Sequence, residues 1–261
     1  MKFGFRSASL GLDGIADALR ELAAMGFDGV EVCLEPAALR PGTLTRDGAE
    51  QIRAAADALG LAITSASFHA DMEDMDVRLR QTFQAVDVAE WLGTDVLVVN
   101  TERAATDAAE AERQFAEVAE RMRRLCGLAE PKGIRIAIEP EPLFVIGNID
   151  DMLRLADAVR SPALRVNLDI GHAEVTEGDV PGAIERLGDL IVHTHVEDIA
   201  GRVHKHLIPG EGDIDFAAVF AAFGRVGYRG IHTIDLFGLG DRAADSARAA
   251  LAALRRLAGD A

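Results

Sequence analysis

Short, mostly apolar runs alternate along the chain with longer segments in which apolar residues recur every three or four positions. The short runs are Lys2–Arg6, Asp28–Cys33, Leu61–Ser67, Asp95–Asn100, Ile134–Glu139, Leu164–Leu168, Leu190–Val196 and Gly230–Leu236. Several are almost wholly apolar, as strands buried on both faces must be. Segments such as Leu12–Ala24, Asp76–Leu92 and Ala108–Leu128 carry the helical period. Glycine marks most of the junctions, at Gly26, Gly60, Gly93, Gly133, Gly188 and Gly227. It suits the left-handed position just past a helix end, so each is a helix stop before a strand. Only the first strand and Leu164–Leu168, which follows Ser161-Pro162, lack that mark. Eight strands, each followed by a helix, predict a parallel α/β fold. No glycine-rich nucleotide loop follows the first strand, which argues against a doubly wound open sheet. Eight units in 261 residues predict a closed (β/α)8 TIM barrel, a single domain over 1–261.

Composition narrows the setting. Hydrophobic residues make up 49% of the chain, enough for a large core. No apolar run approaches the ~20 residues that span a bilayer, and residues 1–6 do not read as a secretory signal. Two cysteines, Cys33 and Cys126, form no disulfide framework and fit a cytoplasmic setting. They and Trp91 read as core. The formal net charge of −16 opposes a phosphate backbone, so nucleic acid is not an expected partner and a small polar molecule is. A homodimer is compatible with such a barrel, although no patch marks one.

Barrel chemistry sits where strands end and βα loops begin. Strands three to eight end at His69, Asn100, Glu139, Asp169, His195 and Asp235. Glu139, Asp169, His195 and Asp235 are a carboxylate and imidazole set suited to Mn2+, Mg2+, Co2+ or Zn2+, against the plainer reading of structural ion pairs. His172 is expected to orient Asp169 or bind substrate. His193 shares strand parity with His195 and reads as a core histidine one layer lower, whereas His232 should face the helices. Glu141 reads as a rim carboxylate within reach of substrate hydroxyls. Gly210-Glu-Gly212 reads as a turn, because its acid argues against anion binding. Arg6, Arg202 and Lys205 are the candidates for a substrate phosphate, each otherwise a solvated charge.

Gly29-Val-Glu-Val32, Ile138-Glu-Pro-Glu-Pro142, Asn167-Leu-Asp-Ile-Gly-His172, His193-Thr-His-Val-Glu-Asp198, His206-Leu-Ile-Pro-Gly-Glu-Gly-Asp-Ile214 and Gly227-Tyr-Arg-Gly230 are the strings that carry a resemblance. Through them the chain resembles the sugar phosphate isomerase/epimerase family of xylose-isomerase-like barrels over nearly its whole length. That resemblance implies one catalytic metal on Glu139, Asp169, His195 and Asp235. The last departs from the family pattern, which usually places the longer Glu there. The chain also resembles the multi-zinc apurinic/apyrimidinic endonucleases. This second resemblance implies a three-imidazole site from His172, His204 and His206, hence more than one metal, and a further site from His69 and Glu139. Asn100 stands where those nucleases place another His, so that last site is incomplete.

The expected reaction is a metal-dependent aldose–ketose isomerisation or ketose epimerisation through an enediolate, with Glu139 and Asp235 moving the proton. The substrate would be a sugar or sugar derivative, with Glu141, Arg202 and Asn100 among its contacts. A metal-dependent dehydratase acting on a keto-inositol or related compound uses the same barrel and is the main alternative. A multi-metal phosphoesterase and a non-catalytic remnant are the others.

Overall fold

The computed structural model describes residues 1–69 and 74–259. Its strands are β1 (Phe3–Arg6), β2 (Gly29–Cys33), β3 (Ala62–Phe68), β4 (Val96–Val99), β5 (Arg135–Ile138), β6 (Leu164–Asp169), β7 (Ile191–Val196) and β8 (His232–Ile234). They pair in chain order, all parallel, and β1 closes on β8 to make a barrel. Each expected strand is present; most are trimmed by a residue or two, whereas β3 and β6 run one residue further, to Phe68 and Asp169. The largest trim is in β8, which keeps three residues of the expected seven.

The helices outside the barrel are α1 (Ile15–Met25), α2 (Arg46–Ala58), α3 (Met75–Leu92), α4 (Ala108–Ala129), α5 (Ile149–Val159), α6 (Ile170–Thr176), α7 (Val180–Leu187), α8 (Phe216–Arg225) and α9 (Ala243–Leu257). Their starts follow from short polar caps. Asp107, Asn148, Asp179 and Asp215 each accept a first-turn amide, which satisfies a donor the helix itself cannot. Helix α1 begins at Ile15 rather than Leu12 because Gly14 is extended at its N-cap. The core lies between barrel and helices, with Phe3, Phe5, Leu19, Leu22, Leu97 and Phe223 almost fully buried. Cys33 and Cys126 are buried thiols. Trp91 departs from the core reading: it is half-buried and packs on the core from its edge.

The barrel interior is unusual in its polarity. Bulky branched residues normally fill this space. Here Val96, Val98 and Ala137 pack with Val192 in a small cluster of their own. Above them, by strand parity, come Glu31, Ser65, Asn167 and His193, all buried. Two irregularities in register produce that layer. The β2–β3 pairing slips between Val30 and Glu31, and the β6–β7 pairing slips between Val166 and Asn167. Such bulges re-aim side chains beside functional sites. They set Glu31 opposite Ser65 and Asn167 opposite His193.

Candidate metal centre and its cavity

Glu139, one residue past β5, Asp169 at the end of β6, His195 in β7 and Asp235, one residue past β8, converge at the carboxyl end of the barrel. One ligand atom from each lies within 4.8 Å of every other, and all four residues are buried. Local structure decides which atoms remain available. Asp169 is the N-cap of α6, and its Oδ1 accepts the His172 amide at 2.7 Å. The neutral carboxyl of Glu197 hydrogen-bonds the same Asp169 carboxylate, and Oδ2 receives no N–H donor. Asp235 Oδ2 accepts from Arg6 Nη1 at 2.8 Å, which leaves Oδ1 buried without a partner. Buried polar atoms are otherwise paired almost without exception. A buried set of three carboxylates and an imidazole, with Asp235 Oδ1 unpaired and Asp169 Oδ2 free of any N–H donor, fits a divalent cation.

His195 completes the set through Nδ1, which is 2.6 Å from Glu139 Oε1, 3.7 Å from Asp235 Oδ2 and 3.9 Å from Asp169 Oδ2. Its Nε2 donates to Glu31 Oε2 at 3.0 Å. That contact fixes the ring and leaves Nδ1 for a metal. Glu31 itself is fully buried and also accepts from Arg6 Nε, Ser65 Oγ and His193 Nε2, at 2.8, 2.8 and 3.0 Å. Burial works against its charge, but His195, His193 and Arg6 outweigh it and hold the carboxyl well below its ordinary range. Burial also opposes an imidazolium at His195, yet Glu31 and Glu139 hold its pKa well above the usual value. The sequence reading does not single out Glu31. Its available signal was a lone acid in an otherwise apolar strand, Gly29-Val-Glu-Val-Cys33.

Glu197 is the other missed residue. It is fully buried, accepts the Gly171 amide at 2.8 Å and stands within 4.8 Å of Asp169 and His206. Burial, then the Asp169 charge, raises its pKa well above the carboxylate range. A side chain at Gly171 would put its Cβ 1.9 Å from Glu197 Oε1, so only glycine fits there.

The remaining expected residues divide into two groups. His69, Asn100, Glu141, His172, His204 and His206 line the same cavity, about 650 Å3 in volume, as Glu139 and Asp235. His69 Nε2 lies 2.7 Å from Glu139 Oε2. Burial would depress the His69 pKa, but that carboxylate outweighs it and lifts it to about 10. Asn100 accepts from Arg78 Nη2 through Oδ1 at 2.7 Å and donates to Glu141 Oε2 at 2.9 Å. Its amide is thereby tied into the cavity wall. Arg202 and Lys205 lie outside that lining. Arg202 instead donates to the carbonyls of Val175 and Thr176 at the end of α6. Lys205 borders an adjoining cleft that shares His206, Phe237, Gly238 and Leu239 with the cavity. Arg6 does line the cavity, but as the partner of Glu31 and Asp235.

The other histidines fall where strand parity puts them. His193 is buried below His195, with Glu31 and Ser65 as polar partners. His232 faces α8 among Phe220, Phe223 and Tyr228. The Gly210-Glu-Gly212 segment is a turn wrapped on Asp198, whose carboxylate accepts from the amides of Ile199, Gly210, Gly212 and Ile214.

A closed eightfold barrel with this rim belongs to a known class. The chain is a member of the xylose isomerase-like TIM barrel family, whose sequence model matches residues 19–257. Among characterised relatives, fructoselysine 3-epimerase of Shigella flexneri is 27% identical over 236 residues, 85% of each chain. The 3-dehydroshikimate dehydratase of Pseudomonas putida is 29% identical over 269 aligned residues, which cover 96% of this chain and 40% of that protein. Among solved structures, D-psicose 3-epimerase from Clostridium cellulolyticum H10 superposes with a TM-score of 0.80 at 19% identity, covering 98% of this chain and 99% of that one. At that identity the likeness speaks for the fold. Among the described residues no helix is long and apolar enough to cross a membrane.

Proposed function

We propose that the protein is a divalent-metal-dependent sugar isomerase or epimerase that moves a proton on the carbon beside a carbonyl. The observation that carries this reading is the convergence of the buried Glu139, Asp169, His195 and Asp235 on one centre, where Asp235 Oδ1 has no protein partner. A bound cation would supply electrophilic stabilisation to the negative charge that develops on neighbouring substrate oxygens. Glu139 and Asp235 come from β5 and β8, on different sides of the centre. One carboxylate takes the proton and the other returns it, to a neighbouring carbon or to the opposite face. Burial resists the Glu139 charge, but His195 and His69 outweigh that and hold it ionised, in the form that can take a proton. Arg6 pins Asp235 through Oδ2, which steadies a side chain one methylene shorter than Glu. The sugar epimerases among the relatives support this chemistry.

A second cation on His172, His204 and His206 belongs to this reading. The Nδ1 atoms of His172 and His206 donate to the carbonyls of Pro140 and Asp235, at 3.0 and 2.9 Å, so in the neutral rings each Nε2 carries a lone pair. His206 Nε2 lies only 3.4 Å from His204 Nε2, and ligand atoms of all three rings fall within 4.8 Å of one another. A cation held between them would take a nitrogen lone pair from each ring. The phosphoesterase alternative is disfavoured because Asn100, where a further ligand would be needed, already gives its carboxamide oxygen to Arg78.

The test combines metal analysis with incubation in D2O. Protein loaded with Mn2+ or Zn2+ is expected to bind two ions per chain, and His204→Ala one. With a panel of ketoses, solvent deuterium should enter the substrate without loss of water, and Glu139→Gln should abolish that exchange. Water loss from the substrate would replace the isomerase reading with a dehydratase. Exchange undiminished in Glu139→Gln would overturn the assigned base.

A further inference from the structure

A second cleft, of about 360 Å3, lies beside the cavity over the metal centre. The two share His206, Phe237, Gly238 and Leu239, so they abut along the segment that follows β8. Strand parity explains the placement. Leu236 is one residue beyond Asp235 and faces the other way, so it lines the cleft while Asp235 lines the cavity.

The charge of the cleft differs from that of the cavity. Apart from histidines the cavity's cation is Arg6, which is already bound to Glu31 and Asp235. The cleft is lined by two cations, Lys205 and Arg242, and by one carboxylate, Glu211. Neither cation forms an ion pair or a side-chain hydrogen bond with any of the described residues, Glu211 included. Other exposed arginines, such as Arg46, Arg154 and Arg225, each reach a carboxylate, as the formal net charge of −16 makes easy. Two uncommitted cations on one concave surface repel each other until an anion sits between them.

Helix α9 adds donors to the same place. Helices α4, α5, α7 and α8 start on side chains that accept a first-turn amide, whereas α9 starts on Arg242, which supplies no such cap. Free N–H groups and partial positive charge at a helix start suit an oxyanion. The acid in that turn, Asp245, is exposed and pairs with Arg248. Ser246 lies four residues beyond Arg242, on the same helix face. It lines the cleft, is only 8% exposed, and its hydroxyl has no partner among the described residues. A buried hydroxyl without a partner is costly unless a ligand or water meets it.

We propose that Lys205, Arg242, Ser246 and the start of α9 form a phosphate subsite, so that the substrate is a phosphate ester with its sugar in the cavity and its phosphate in the cleft. The two cations neutralise the dianion, and Ser246 and the α9 amides donate to its oxygens. The phosphate is thereby a handle held apart from Glu139 and Asp235, not the reacting group. The sugar rests on the isomerase or epimerase reading, whereas the subsite is tested by binding alone.

Inorganic phosphate is the probe, titrated calorimetrically into the Mn2+-loaded protein. Loss of one charge-assisted contact is expected to weaken binding about tenfold or more in Arg242→Gln and in Lys205→Gln. Ser246→Ala removes a neutral donor and should weaken it about fivefold. Arg229→Gln, which removes a positive charge just before β8, should change nothing. Lys205 and Arg242 are exposed, so unaltered melting temperatures are expected in their variants. Phosphate that binds equally well in Arg242→Gln and Lys205→Gln is held by the metal ions, and that result overturns the subsite. So does an equal loss in Arg229→Gln, which is an effect of net charge, or a parent protein that binds no phosphate. In D2O, ketoses are then compared with their terminal phosphate esters. The esters are expected to exchange with the lower KM, and Arg242→Gln should raise KM for the esters alone and leave kcat unchanged. Phosphate binding that depends on Arg242, without exchange in any sugar, would keep the subsite and sink the proton-transfer chemistry. Exchange with one KM for sugar and ester, unmoved by Arg242→Gln, would do the reverse.

Discussion

Glu31 shows how much a single buried side chain can organise. It touches no cavity space of its own, yet Arg6, Ser65, His193 and His195 all donate to it. Two of those donors meet the proposed metal ligands: His195 is one, and Arg6 holds Asp235. Partners that orient a ligating histidine typically matter by a factor of about 10–100 in metal affinity. Glu31→Gln keeps the volume and removes the charge, so it is expected to weaken metal binding by about that factor while the far-ultraviolet circular dichroism is retained. Competition with a chelator would measure this, and an affinity equal to that of the parent protein would refute the orienting role. The Glu-to-Asp departure at Asp235 belongs to this scale too, because Arg6 Nη1 reaches the shorter carboxylate at 2.8 Å.

Among the elements, the segment between β7 and α8 depends most on one residue. Asp198 sits just past β7, fully buried, and gathers the amides of Ile199, Gly210, Gly212 and Ile214. The backbone of Gly212 comes so close to Ile199 that an added Cβ would lie 2.4 Å from the Ile199 carbonyl oxygen. This folded segment presents His204 and His206 to the cavity. Asp198→Ala would orphan four amides at once, and each unsatisfied buried donor costs about 1–3 kcal/mol. The expected loss is at least about 3 kcal/mol in urea unfolding, with faster proteolysis between residues 199 and 214. A loss below about 1 kcal/mol would mean that the segment is held by other contacts.

At the scale of the whole molecule, acid stability has a definable contribution from His232. Burial, then the charge of His193, depresses its pKa from 6.5 to about 4. The unfolded chain therefore takes up this proton at a higher pH than the folded one. The associated stability is complete above pH 6.5, declines as pH falls and is gone below about pH 4. Its size is on the order of 3 kcal/mol. Thermal or urea unfolding of His232→Leu between pH 7 and pH 4 should show a correspondingly flatter dependence than the parent. Parallel curves would show that His232 is not held neutral by its surroundings.

The eightfold rhythm of apolar runs and glycine stops determined the barrel from the sequence, because strand and helix periods are local and a parallel eight-unit chain of this length has few ways to close. Strand ends likewise marked Glu139, Asp169, His195 and Asp235, since a residue's place at the carboxyl rim follows from its element alone. Contacts between distant elements were a different matter. Glu31 meets His193 and His195 across separations of 162 and 164 residues, and a register slip beside Glu31 sets its opposite neighbour on β3. Arg6 and Arg202 read alike in the sequence as free charges, and only the tertiary structure committed one to the carboxylates and the other to a helix end. Periodicity says which way a side chain points. What it meets there depends on the closure of the barrel, which brings the ends of all eight strands to one rim.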